Sequence, residues 1–375
     1  MNSFKICGQF GVEIVAQKDI VKGLINNTSL VTTRDGKKYI LQEINSNVFK
    51  DVDKLMNNID MVTEHLKKKI VAENGNPSRE TLNLLKSDGK SYVTTKEADG
   101  KIHYYRMYDY IDNATSFDQA SKELLYHAGV GFGRFQRQLA DFPADKLTET
   151  IPDFHNTAAR YQQFLDAVNH AKEQGDFTTL IKAKQAMDFA FKNEAYSKLL
   201  SYSVKSGNIP LRVVHNDTKL NNVMLDNDTH EPVCVIDLDT IMPGSMLYDY
   251  GDAIRYGANT GLEDDVNLKN VKIDMEKFTA FTEGFLKETA KSITPSELNF
   301  LPYAPMILAY ELGLRFLTDY LNGNKYFRCD SHRPDHNLER ARAQFKLMHD
   351  MKRNLPQMKK IVNDIYSKNI SAPIQ

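Results

Sequence analysis

Between Val213 and Val223 the chain reads Val-Val-His-Asn-Asp-Thr-Lys-Leu-Asn-Asn-Val, a polar loop between two apolar ends. Leu211–Val214 and Val223–Leu225 have the length and β-branched content of buried strands. The residues between them carry too many hydrogen-bonding groups to be buried without dedicated partners. A third apolar run, Val233–Ile236, ends in Asp237, twenty residues beyond Asp217. Short buried strands joined by polar loops therefore sit inside a chain that is otherwise helical in pattern. Helical spacing runs through Asp118–Leu139, Thr157–His170 and Glu194–Lys205, and again through Met275–Lys287, Pro305–Leu321 and Asn337–Arg353.

The first hundred residues have a different texture. Val12–Ile14, Ser29–Thr33, Lys38–Ile44, Leu82–Leu85, Ser91–Thr95 and His103–Tyr108 are short runs separated by turn signals such as Asp35-Gly36, Asp88-Gly89 and Asp99-Gly100. One helix, from about Asp53 to Ala72, repeats Leu55, Ile59, Val62 and Leu66 on one face. With 375 residues the chain exceeds what one hydrophobic core supports, so two lobes are expected. The pattern predicts residues 1–108 as a small antiparallel-sheet lobe with one helix, 109–113 (Asp109 to Asn113) as a hinge, and 114–375 as a larger, mainly helical lobe. Thr260–Asn270 reads as a surface loop.

Bulk chemistry narrows the function. Net charge is −1, which offers no electrostatic case for a nucleic-acid or membrane partner. Cys7, Cys234 and Cys329 are odd in number and far apart, as free thiols in a reducing compartment are. No run of ~18 apolar residues and no apolar leader segment occurs, so a cytoplasmic location is expected.

The loop carries its own chemistry. Protein kinases place His, Asp, Lys and Asn in this setting, and His215, Asp217, Lys219 and Asn222 fall at the same relative positions. Phosphoryl transfer needs positioned groups and neutralised charge more than covalent help. Asp217 is the candidate base for an acceptor hydroxyl and Lys219 the cation for the γ-phosphate. Asn222 and Asp237 are candidate ligands for Mg²⁺, which prefers oxygen. A polar loop whose Asp and Asn serve only as turn residues is the bland alternative; Lys219 and the downstream strand-Asp weigh against it.

Further candidates are weaker when taken singly. Gly23, Ile25, Asn26, Asn27 and Thr28 form a turn whose backbone N–H groups could cradle phosphate. Gln42 stands where a kinase strand usually carries Lys, and Tyr108, Asp109 and Tyr110 could offer backbone groups to adenine. Arg315 lies four residues after Glu311, the spacing of an ordinary helical ion pair. Cys329, His332 and His336 make only three ligands where structural zinc wants four, so loop hydrogen bonding accounts for them better.

With these motifs in place, the chain resembles the aminoglycoside phosphotransferase superfamily, whose members share the protein-kinase-like fold. More closely it resembles bacterial N-acetylhexosamine 1-kinases. The likeness rests on His215 to Asn222, Ile236 to Gly244 and Asp249 to Arg255. It extends to Lys22 to Thr28, Leu41 to Asn45, Val48 to Asp51, Gly313 to Leu317 and Asp319 to Gly323. The resemblance implies an α+β, two-lobed kinase that uses ATP and Mg²⁺ to phosphorylate the anomeric hydroxyl of N-acetylglucosamine, N-acetylgalactosamine or a related sugar. It further implies Asp217 as base, Asn222 and Asp237 as metal ligands, and Arg315, Tyr326 and the residue at Leu24 as sugar contacts. The family has His where this chain has Leu24, which leaves the identity of the sugar open. The family shares Gln at Gln42. Aminoglycoside or choline-like kinases are the alternatives within the class, and a nucleotide-binding pseudokinase the alternative outside it. The absence of Trp disfavours a choline cage.

Overall fold

The computed structural model describes residues 3–20, 25–97 and 100–371. In chain order its elements are α1 (Ser3–Gln9), β1 (Ile14–Ile20), β2 (Asn27–Thr33), β3 (Lys38–Ile44), α2 (Val52–Ala72), α3 (Pro77–Glu80), β4 (Val93–Lys96), β5 (Ile102–Asp109), β6 (Ala114–Thr115) and α4 (Lys122–Gln138). Then follow α5 (Thr157–Glu173), α6 (Phe177–Lys192), α7 (Ala195–Lys205), β7 (Arg212–Val214), β8 (Val223–Asp226), β9 (Pro232–Val235), α8 (Met246–Gly257), α9 (Met275–Thr289), α10 (Pro295–Phe300), α11 (Ala304–Leu321) and α12 (His336–Ser371). The expected mixed architecture, an antiparallel N-terminal sheet followed by a mainly helical remainder, is what the chain adopts.

Two compact units divide the chain. The first consists of Met1–Ser116, Asp141–Pro152 and Val223–Pro243. Its main sheet has the order β1-β2-β3-β5-β4, and every neighbouring pair is antiparallel. Register places Gln42 between Thr28 on β2 and Arg106 on β5. One face packs Val31, Tyr39, Leu41, Val93, Tyr105 and Met107 with Ile6, Cys7 and Phe10 from the α1 segment. Helix α2 begins at Asp51, whose carboxylate accepts the Lys54 amide, and buries Leu55, Ile59, Val62 and Leu66 as its spacing predicts. Within the same unit β6, β8 and β9 form a small antiparallel sheet.

The second unit comprises Phe117–Ala140, Asp153–Asn222 and Gly244–Gln375. Its helices α4 and α9 cross at backbone contact. A methyl group on Gly129 would lie 2.3 Å from the Phe281 carbonyl oxygen, and one on Gly284 would lie 2.1 Å from that of Tyr126. Only glycine permits so close an approach.

Several elements differ from the expectation. Val12 and Glu13 precede β1, which runs on to Ile20, and Leu82–Leu85 contributes only a bridge from Leu84 to Tyr108. Helix α6 is unforeseen because its core face is built of Ala183, Ala186 and Ala190 with Leu180 and Met187, a weak apolar stripe. Helix α8 is unforeseen because it is buried nearly all round, so it has no polar face to set a period. Helix α12 continues through Pro356 to Ser371. Cys7, Cys234 and Cys329 are free, as expected.

Candidate active site

In the second unit β7 runs into the loop His215–Asn222, and one buried side chain shapes that loop. Asp249, on α8, accepts the His215 amide at 2.9 Å and the Asn216 amide at 2.8 Å. Its backbone oxygen takes the Thr218 hydroxyl at 2.6 Å. Gln136 on α4 donates to the same carboxylate at 2.7 Å and to the Val213 carbonyl at 3.1 Å. Burial pushes the Asp249 carboxyl up from its ordinary value, against the pull of His215 and these donors. The His215 ring is fully buried edge-on to Phe132 and Phe135, and its Nδ1 accepts the Asp217 amide at 3.3 Å. Asn216 takes a left-handed backbone, φ 65°, which Asn tolerates better than most residues.

The result is a loop whose His215, Asn216, Thr218 and Asn222 are buried while Asp217 and Lys219 reach outward. Lys219 Nζ lies 2.8 Å from Asp217 Oδ1. Burial disfavours the ammonium, but Asp217 and then Asp252 outweigh it and hold the Lys219 pKa above its usual value. The Asn222 amide nitrogen donates to the Asp217 carbonyl at 2.8 Å, which leaves its Oδ1 as the atom suited to a cation. The structure thus brings Asp217, Lys219 and Asn222 together. Asp252 pairs with Arg255 at 2.8 Å, and Arg255 also reaches Glu263 at 3.0 Å, so this acid holds the end of α8.

The same loop is tied to α11. His155 Nε2 lies 3.3 Å from the Asn216 carbonyl, and His155 Nδ1 lies 2.7 Å from Glu311. Thr157 donates to the other Glu311 oxygen at 2.6 Å. Burial opposes ionisation of Glu311, yet His155, Thr157 and Arg315 hold its pKa below the usual carboxylate value. Glu311 is therefore engaged by His155 and Thr157, and the helical ion pair with Arg315 does not form. Arg315 instead lies against two rings, 5.5 Å from the Phe154 centroid and 5.4 Å from that of Phe327. Burial and the neighbouring Arg315 guanidinium lower the pKa of Arg160. Tyr326 is 72% exposed, with its backbone amide held by Asp319 at 2.8 Å.

In the first unit Asp237 follows β9, is exposed, and has a left-handed backbone with φ 60° and ψ 57°. The next residues, Leu238 to Thr240, are buried. Asp239 forms an ion pair with Arg106 Nη1, and its other oxygen accepts the Asn26 amide at 2.5 Å. Arg106 Nε donates to Gln42 Oε1 at 3.0 Å, and Gln42 Nε2 donates to Thr28 Oγ1 at 3.0 Å. Asn26 also accepts the Asn45 amide at 3.0 Å. Asn26, Thr28, Gln42, Arg106 and Asp239 are consequently one network. Asn27 donates to Glu43 at 3.0 Å, and Ile25 is exposed. Gly23 and Leu24 lie outside the described residues. Tyr108 is buried, its hydroxyl pKa pushed well up by burial. The amides of Asp109 and Tyr110 bond the Asn83 and Lys38 carbonyls.

Sequence reading overlooked Arg106 and gave no role to Asp249, Gln136 or His155. A charged residue at a mid-strand position of β5 was the only available signal for Arg106. Asp249 was visible as part of a motif, without its function as the loop's anchor. Both ring nitrogens of His336 are engaged, by Asp264 at 3.0 Å and the Asp330 amide at 3.1 Å. No cluster of three His, Cys, Asp or Glu side chains among the described residues is arranged for a metal. The Asn222 side-chain oxygen is a donor atom of the type Mg²⁺ prefers.

A kinase-like phosphotransferase fold with this loop defines the class. The profile of the phosphotransferase enzyme family, APH, matches residues 17–271, and the chain belongs to that family. Among solved structures, a microcompartment-associated aminopropanol kinase superposes with TM-score 0.61 at 13% identity, covering 95% of this chain and 98% of its own. An aminoglycoside phosphotransferase from Alicyclobacillus acidocaldarius gives 0.57 at 14% identity, with 97% of each chain covered. Amicoumacin kinase in complex with AMP-PNP, Ca²⁺ and Ami gives 0.50 at 15% identity, covering 95% of this chain and 88% of its own. At such identities the likeness is one of fold. No helix among the described residues is long and apolar enough to cross a membrane.

Proposed function

We propose that this phosphotransferase moves the γ-phosphoryl group of ATP to the anomeric hydroxyl of an N-acetylhexosamine or a closely related sugar. Asp217 accepts the hydrogen bond of the acceptor hydroxyl and takes its proton late. Lys219 stays charged beside Asp217 and stabilises the γ-phosphoryl oxygens. Asn222 and Asp237 supply oxygen ligands for Mg²⁺, which neutralises charge on the β- and γ-phosphates. Gly23, Ile25, Asn26, Asn27, Thr28, Gln42 and the segment Tyr108 to Tyr110 hold the nucleotide. Residues 109–113 act as the hinge between a nucleotide lobe and an acceptor lobe.

One observation carries the choice of acceptor. Arg315 has no ion-pair partner among the described residues, lies against two aromatic rings, and is the charged neighbour that, after burial, lowers the pKa of Arg160. Two guanidinium groups repel an ammonium and favour electron-rich oxygens such as ring hydroxyls and an acetamide carbonyl. That disfavours choline-like and aminoglycoside acceptors, which are cations. Leu24, in place of a histidine, leaves one ring position without a polar contact on that side.

The test is ATP consumption with free hexoses, N-acetylhexosamines, choline, ethanolamine and an aminoglycoside, with the phosphorylated position read by ³¹P and ¹H NMR. A sugar 1-phosphate is expected, and Arg315→Ala should raise KM for the sugar roughly tenfold or more while leaving KM for ATP unchanged, as loss of an ionic hydrogen bond does. Turnover confined to a cationic alcohol overturns the acceptor and leaves the kinase chemistry standing.

A further inference from the structure

Gln42 cannot supply the positive charge that kinases place on this strand, and the glutamate of helix α2, Glu64, pairs with Lys67 of the same helix at 2.8 Å. In protein kinases a strand-lysine and helix-glutamate pair must be in place for activity. In this chain Asp60 of α2 instead accepts the Ser91 hydroxyl. The nearest fixed cation in register is Arg106, directly across the sheet from Gln42. Its side chain is 0% exposed, a position that an arginine occupies only with a matched counter-charge.

That counter-charge is Asp239, two residues after Asp237, in the buried turn that Asp237 opens. Four other contacts converge on the pair. Gln42 accepts from Arg106 Nε at 3.0 Å. Asn26 donates to Asp239 at 2.5 Å from the segment leading into β2. The Tyr108 ring lies 5.3 Å from the guanidinium carbon. Met56 of α2 places its sulfur 3.9 Å from Arg106 Nη1, and Asn58, a half-turn on, donates to the Ile241 carbonyl at 3.0 Å and the Thr148 carbonyl at 2.7 Å. One buried charge pair therefore joins β3, β5, α2, the hairpin segment at Asn26 and the turn that presents Asp237.

We propose that Arg106 is the positioning residue of the nucleotide half of this enzyme: through Asp239 it fixes both the Asp237 backbone and the Asn26 segment, in place of a strand-lysine and helix-glutamate pair. Arg106 is too deeply buried to touch substrate and acts through these two groups. Its inferred effect is on Mg·ATP, not on the acceptor. The inference rests on the assignment of Asp237 to the metal.

The test uses Arg106→Lys, Asp239→Asn and Arg106→Met in the full chain, with circular dichroism melts to establish folding. Mg²⁺-dependent binding of AMP-PNP is measured by calorimetry without acceptor, so its outcome is independent of which acceptor is used. Arg106→Lys keeps the charge but loses the fork that reaches Gln42 and Asp239 together. Asp239→Asn keeps the shape and removes the charge. Each folded variant should bind Mg·AMP-PNP at least tenfold more weakly and require more Mg²⁺ for half-maximal turnover, with KM for the acceptor unchanged. Wild-type nucleotide affinity and Mg²⁺ dependence in both Arg106→Lys and Asp239→Asn would overturn the proposal, as would an equal loss in acceptor KM. Failure of the wild-type protein to bind Mg·AMP-PNP would overturn the kinase assignment itself. Normal nucleotide binding with no sugar turnover would overturn only the acceptor.

Discussion

Asp249 accepts the backbone amides of both His215 and Asn216, at 2.9 and 2.8 Å, and so sets the conformation of the loop that carries Asp217. An asparagine has one acceptor oxygen where the carboxylate has two. In Asp249→Asn one amide, or the Gln136 donor, is left facing an NH₂ group in a buried site. The expected cost is ~1–3 kcal/mol, seen as a lower melting temperature. Activity at a temperature where the variant is still folded should show reduced kcat with KM for ATP little changed. Wild-type kcat in the folded variant would show that the loop holds its shape without this anchor.

Asp217→Asn should lose ~10²- to 10⁴-fold in kcat, the usual range for a general base, with nucleotide binding retained. Asn222→Ala and Asp237→Ala should shift the Mg²⁺ titration of activity to higher concentration. The Asp237 change should be the more severe, because it removes a full charge beside a divalent cation. Unchanged metal dependence in both variants would contradict the ligand assignment.

Acid stability should report on a different pair. Arg79 lies 2.6 Å from Asp226, whose carboxylate also accepts the amides of Asp228 and Thr229. These contacts, Arg79 foremost, lower the Asp226 pKa from 3.8 to about 2. A carboxyl depressed in the folded state stabilises above its unfolded pKa and loses that contribution as pH falls through the folded value. The wild-type melting temperature should therefore drop more steeply between pH 3.8 and about 2 than that of Asp226→Asn. Parallel curves in that window would show that the pair contributes nothing.

A glycine at the crossing of α4 and α9 and a glycine in α1 should respond differently to the same substitution. Gly129→Ala places a methyl 2.3 Å from the Phe281 carbonyl and should destabilise by ~1–3 kcal/mol through overpacking. Gly8→Ala, inside α1 with nothing within 4 Å of the added carbon, should be neutral or stabilising by up to ~1 kcal/mol. Urea unfolding of both variants gives the comparison.

Much of this protein was legible in its sequence. The β-branched runs with Asp-Gly turns announced an antiparallel N-terminal sheet, because alternation and turn chemistry are local properties. The spacing from His215 to Asn222 pointed to a phosphotransferase, because kinases place His, Asp, Lys and Asn at the same relative positions. Helices α6 and α8 escaped notice because a face of alanines and a helix buried on all sides leave no clear period. The partners that make the loop work lie far away in the chain: Asp249 is 33 residues from Asn216, and Glu311 is 156 from His155. The Arg106–Asp239 pair follows the same logic, since the two meet only after β3 and β5 have paired and buried both. Side-chain identity at each position belonged to the sequence. Which buried charge meets which, and therefore what each one holds in place, was decided by packing, because only burial leaves a charge no choice but the partner that the fold supplies.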